Sequence, residues 1–151
     1  MRELFFKQLH ELMSKNWNVY FVTGDLGFGL ADKIKKDFPD RFINSGAAEC
    51  AMTGLSIGLA LEGKTVFCYS ITPFLLFRPF EAIRNYLHHE GVPVILVGSG
   101  RGKDYEHDGH THYAGDDYLI DPFFTIKKYT SYNSLQEIID DKRPAYISLK
   151  R

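Results

Sequence analysis

The sequence is poor in the residues that would put it in a specialised class. It has only two cysteines, Cys50 and Cys68, both in apolar runs. That excludes the dense disulfide framework of small secreted domains. Lys and Arg number 18 against 19 Asp and Glu, a formal charge of −1. No global excess of charge therefore draws nucleic acid or an anionic membrane to the chain, and neither is expected as a partner. No apolar run is long enough to span a bilayer, and the opening MRELFFKQLHEL is amphipathic rather than signal-like. Long linkers, low-complexity tracts and internal repeats are also missing. With 44% hydrophobic residues in 151, one globular domain over residues 1–151 is expected, in a cytoplasmic setting with reduced thiols.

What is present alternates. Leu4, Phe5, Leu9 and Leu12 recur at helical spacing, and NVYFVTGD then switches to a short β-rich run ending in Gly and Asp. LADKIKKDFPD predicts a short helix stopped near Pro39, RFINS a strand, and residues 47 to 62 a helix ended by Gly63. KTVFCYS predicts a strand, RPFEAIRNYLHHEG a helix with Pro79 in its first turn, and VPVILVGS another buried strand. After a Gly-, Asp- and His-rich loop from Gly98 to about Asp117, FTIKKYT, SLQEIIDD and PAYISLK predict strand, helix and strand. This order predicts an α/β fold with a mainly parallel sheet covered by helices on both faces. Ligands of such sheets gather beyond the carboxyl ends of the strands. The segments to weigh are therefore TGDLGFG, INSGAAE, YSITPFLLF and the loop ending in EHDGHTHYAGDD.

Neither GDLGFG nor GSGRG has the spacing of a dinucleotide fingerprint or of a phosphate loop, so their glycines read as turn residues. HDGHTH sets His107, Asp108, His110 and His112 within six residues, a spacing that suits zinc or another transition metal. No other segment supplies a matching ligand pair, so a metal-binding protein built on this loop stands as an alternative. Phe74, Phe77 and Phe80 recur every three residues, which a core stripe explains. They share their end of the sheet with one acid, Glu49, at the start of the small, apolar segment RFINSGAAECAMTGLSIGLALEGK. Asn44, Ser45 or Gly46 would cap this helix, and an acid in the first turn suits the helix dipole. The sharper reading aims Glu49 at a ligand.

Taken in order, GDLG, FPDRFINSGAAE, GLALEGKTVFCYS, FLLFRPFEAIRN, DGHTH and the terminal RPAYISLKR resemble the pyrimidine-binding domain of transketolase-like, thiamine-diphosphate-dependent enzymes. The resemblance implies the three-layer thiamine-diphosphate-binding fold. It implies that Glu49 hydrogen-bonds the N1′ nitrogen of the cofactor's aminopyrimidine and is catalytic, favouring the tautomer whose N4′ takes the C2 proton. By the same resemblance Phe74, Phe77 and Phe80 line the pyrimidine pocket, and Asp25 lies near the cofactor and the subunit interface. Asp108 and His112 face the substrate hydroxyls, His112 with a catalytic part. DGHTH carries His110 where the family has proline, which brings His110 to the substrate end. The family's Gly-Asp-Gly, which with a later Asn holds magnesium and diphosphate, does not occur, and no metal ligand is assigned to this chain. The expectation is half of a site: the pyrimidine-binding subunit of a split enzyme that moves a two-carbon ketol unit between sugars or sugar phosphates. A separate subunit would bind magnesium and diphosphate, in a homodimer or hetero-oligomer. A non-catalytic binding or regulatory module of the same fold is the other alternative.

Overall fold

The computed structural model describes residues 1–115 and 126–151. The end of the long loop, including Asp117, and Phe124 and Thr125 of a predicted strand lie outside the described residues. Six strands, β1 (Val19–Thr23), β2 (Phe42–Asn44), β3 (Thr65–Ile71), β4 (Val94–Ser99), β5 (Lys127–Tyr129) and β6 (Ala145–Leu149), form one sheet. Their order is β2-β1-β3-β4-β6-β5, and every neighbouring pair is parallel.

The period-2 geometry of a strand divides the apolar residues between two cores. On β3, Phe67 and Tyr69 point to one side and Val66 and Cys68 to the other; Ile95 and Val97 oppose Val94 and Leu96 on β4 in the same way. The first core is closed by Phe5, Leu9 and Met13 of α1 (Arg2–Lys15), Ile34 of α2 (Asp32–Asp37), and Leu135 and Ile138 of α6 (Leu135–Asp140). The second is closed by Met52, Ile57 and Ala60 of α3 (Glu49–Leu61), by Leu75 and Leu76 of α4 (Thr72–Phe77), and by Ile83 and Leu87. The last two lie on a π-helix, Ile83–His89, that continues α5 (Phe80–Ala82). The result is the three-layer α/β arrangement the alternation predicts. No described helix is long and apolar enough to cross a membrane.

Two local details differ from the expected order of elements. TPFLLF, to which the sequence assigned no element, is helical over Thr72–Phe77, with Pro73 in the first turn, where a missing N–H leaves no intrahelical hydrogen bond unmade. The helix expected from residue 47 begins at Glu49, with Ala48 at its N-cap and no capping side chain. Asn44, Ser45 and Gly46 therefore do not cap it.

Close approach at Gly98 fixes α4 against β4. The Thr72 hydroxyl donates to the carbonyl oxygen of Gly100 at 2.7 Å, and a Cβ at Gly98 would lie 2.6 Å from that hydroxyl and 2.9 Å from the Tyr146 hydroxyl. Gly98→Ala should therefore cost about 1–3 kcal/mol in urea unfolding, as overpacked core sites do. Gly58→Ala on α3 meets open space and should add about 0.5–1 kcal/mol through helix propensity. Burial pushes the Cys68 thiol up from 9.0 to about 11; Ser56 and Thr53 oppose the rise and the Glu49 carboxylate adds to it. The folded state thus holds this proton more tightly than the unfolded state. Its contribution to stability is complete below pH 9 and should be lost as pH rises from 9 towards 11. At about pH 8 a thiol reagent should titrate exposed Cys50 alone, and Cys68 only after unfolding.

Candidate functional site

The carboxyl ends of β1, β2 and β3 lie side by side, with Thr23 in register with both Asn44 and Tyr69. Glu49, the first residue of α3, is brought to this edge with its residue only 3% exposed. A carboxylate so withdrawn from water requires partners. Ser70, near the end of β3, donates its hydroxyl to Oε1 at 3.1 Å. Arg78, in the turn after α4, donates Nη1 to Oε2 at 2.5 Å. Gly24, just beyond β1, packs over the same place: a Cβ there would sit 3.3 Å from Met52 Sδ and 3.5 Å from Glu49 Oε1.

Arg78 extends this pair outwards. Its guanidinium carbon lies 3.9 Å from the centroid of the Phe74 ring, a stacking distance. The far side of the arrangement is His112, whose imidazole meets Phe74 at 4.8 Å between centroids and 71° between planes, while its Nδ1 is 3.1 Å from the Thr111 hydroxyl. Ser70, Glu49, Arg78, Phe74 and His112 thus form a continuous series of contacts from the sheet to the DGHTH loop.

The remaining predicted residues are placed differently. Phe77 is 39% exposed, and half-buried Phe80 packs against the second core. Asp25 is exposed with left-handed backbone, φ 55. It is tied to β2 through Asn44, whose Oδ1 accepts the Asp25 N–H at 3.0 Å and whose amide donates to Asp25 Oδ1 at 3.0 Å. Asp108 and His110 are exposed on two short 3₁₀ turns, Glu106–Asp108 and His110–His112. Asp108 Oδ2 lies 3.3 Å from His107 Nε2. Among the described residues no group of three or more His, Cys, Asp or Glu side chains is arranged to hold a metal ion. Sequence reasoning passed over Arg78, Ser70 and the linking role of Asn44. For Arg78 there was a signal, a lone cation in the apolar run FLLFRPF opposite a lone acid in another.

A family description, transketolase, pyrimidine binding domain, matches residues 1–120. The putative transketolase C-terminal section of Methanocaldococcus jannaschii is 33% identical over 159 aligned positions, which cover 100% of this chain and 50% of that protein. An apulose-4-phosphate transketolase subunit of Actinobacillus succinogenes is 34% identical over 108 positions, 70% of this chain and 35% of the other. Among solved structures, a split gene transketolase described as an inactive beta4 tetramer is similar with a TM-score of 0.83 at 26% identity, covering 99% of this chain and 51% of that one. The chain spans about half the length, or less, of these relatives. The family match runs through both cores and through Glu49, Phe74, Arg78 and His112, and the chain belongs to the transketolase pyrimidine-binding domain family.

Proposed function

We propose that this chain is the pyrimidine-binding subunit of a split, thiamine-diphosphate-dependent transketolase-like enzyme. The reaction is transfer of a two-carbon ketol unit between sugars or sugar phosphates. One observation carries the reading: a carboxylate 3% exposed at the carboxyl edge of a parallel sheet, with an aromatic ring face beside its partner. That donor set fits a planar aminopyrimidine, whose ring nitrogen needs a carboxyl group out of water and whose faces need aromatic contact. The family's Gly-Asp-Gly, its motif for the charged end of the cofactor, does not occur in the sequence. We therefore assign magnesium and diphosphate to a separate subunit.

When bound, thiamine diphosphate supplies the nucleophilic carbon and the electron sink for the ketol carbon. Glu49 holds the ring at N1′ and governs the proton shared there, while Ser70 fixes the carboxylate's orientation. Phe74 stacks on the ring, and Asp25 lies on the adjoining loop. His112, in ring contact with Phe74, serves the substrate hydroxyls with Asp108 and His110. Assembly is supported by the outward face of α3, where Ala51, Gly54, Leu55 and Leu61 and the preceding Ala47 and Ala48 are exposed. Such a face suits a homodimer or hetero-oligomer. A cytoplasmic location fits the two free thiols.

Calorimetry with magnesium present should find weak thiamine diphosphate binding by this chain alone; micromolar or tighter binding would overturn the split arrangement. Once the chain is assembled with a subunit bearing the diphosphate site, Glu49→Gln should slow exchange of the cofactor's C2 proton by roughly two orders of magnitude or more. Its melting should change little, by at most about 1–2 kcal/mol, because the Gln carbonyl oxygen still accepts from Arg78 while its amide N–H donates to the Ser70 hydroxyl, which turns from donor to acceptor. Unchanged exchange would sink the catalytic role of Glu49. In the same assembly His112→Ala should lower turnover while leaving cofactor affinity within about twofold, as expected for a residue that serves the substrate. An equal loss of cofactor affinity would contradict that assignment.

A further inference from the structure

We infer that Arg78 is a built-in stand-in for the pyrimidine ring: in the free chain its guanidinium occupies the carboxylate and the ring face that the ring requires, and binding must expel it. The inference rests on the function proposed above.

An unfilled pocket would leave the Glu49 carboxylate buried without a counter-charge, a state that proteins avoid. Arg78 removes the problem with a group of suitable shape. A guanidinium is flat, cationic and rich in N–H donors, and it stacks on aromatic rings. Here it does both at once, donating Nη1 to Glu49 Oε2 at 2.5 Å and lying 3.9 Å from the centroid of Phe74. A protonated aminopyrimidine would present the same pair of features, an N–H for the carboxylate and a flat face for the ring. The two cannot occupy the position together.

Three features let the arginine leave without disturbing its surroundings. Its side chain is 45% exposed, whereas that of Glu49 is 2% exposed, so one partner already reaches water. Its backbone is held independently, with the carbonyl oxygen accepting from Cys50 Sγ at 3.4 Å and Pro79 next in sequence. Ser70 grips the other carboxylate oxygen, Oε1, and so keeps Glu49 aimed during the exchange. The occupied state competes with ligand and lowers its apparent affinity by the fraction of chains in which the position is filled. A ligand without a flat cationic edge does not replace the N–H that Glu49 loses when the arginine departs, so the stand-in also selects.

The test uses the full chain and the cofactor's aminopyrimidine fragment, 4-amino-5-hydroxymethyl-2-methylpyrimidine, titrated by NMR. Arg78→Met keeps a long side chain but cannot donate to Glu49. It should bind the fragment about three- to tenfold more tightly than the unaltered chain. In the unaltered chain the nitrogen signals of the Arg78 guanidinium should show hindered rotation when free and the averaged signal of a solvated arginine when the fragment saturates. If Arg78→Met binds no better, or if the guanidinium signals stay unchanged at saturation while Glu49→Gln weakens binding, the stand-in is overturned and the cofactor reading survives. If the fragment fails to bind, or binds Glu49→Gln as well as the unaltered chain, the cofactor reading falls and the inference with it. Should Arg78→Met fail to fold, the guanidinium signals of the unaltered chain decide the question alone.

Discussion

A carboxylate buried at the edge of a sheet cannot be left alone, and the architecture around Glu49 follows from that constraint. Its two oxygens are met from two directions, by a hydroxyl on β3 and by a guanidinium beyond α4. The parallel sheet makes this arrangement accessible, because all its strands finish at one edge and deliver residues distant in sequence to one place. The hydrogen bond from Thr72 to the end of β4 anchors the start of the helix that carries Phe74 and leads to Arg78. The same helix buries Leu75 and Leu76 in the second core, so the packing that seats α4 also delivers Arg78 to the acid.

Much of the fold was legible because its strands are buried on both faces. VILVGS and TVFCYS are short apolar runs rich in β-branched and aromatic residues, too short for a buried helix. The six-residue α4 was not legible. TPFLLF follows β3 with no polar break, and in so short an apolar run neither a period of two nor one of 3.6 can be distinguished. The start of α3 was misplaced for another reason. Asn44 and Ser45 have the chemistry of capping residues, but tertiary partners claim them: the Ser45 hydroxyl donates to the Thr23 carbonyl oxygen, and Asn44 binds the neighbouring loop.

The site divides along the same line. Glu49 and His112 are recognisable from sequence because each sits in a motif with fixed neighbours. The spacing of Phe74, Phe77 and Phe80 implied one common face, yet that geometry holds only along an unbroken helix. Here α4 ends at Phe77 and the Arg78-Pro79 turn re-phases the chain, so the rings part: one against Arg78 and His112, one exposed, one against the core. Arg78 stood out only as a lone cation in an apolar run; its partner was not legible, since the acid it neutralises lies 29 residues away.

The Asn44 side chain joins two loops that would otherwise be independent. Its carbonyl oxygen receives N–H groups from both Asp25 and Gly46, and its amide returns a hydrogen bond to the Asp25 carboxylate. The loop after β1 and the entry to α3 are therefore mechanically coupled, with Gly46 only three residues before Glu49. A force applied at the exposed Asp25, by a docking surface or a bound ion, is carried through one amide group to the segment that aims the buried acid. An aspartate at position 44 would still accept the two N–H groups but would weaken the connection, because it has no N–H to return and would set its own negative charge against that of Asp25.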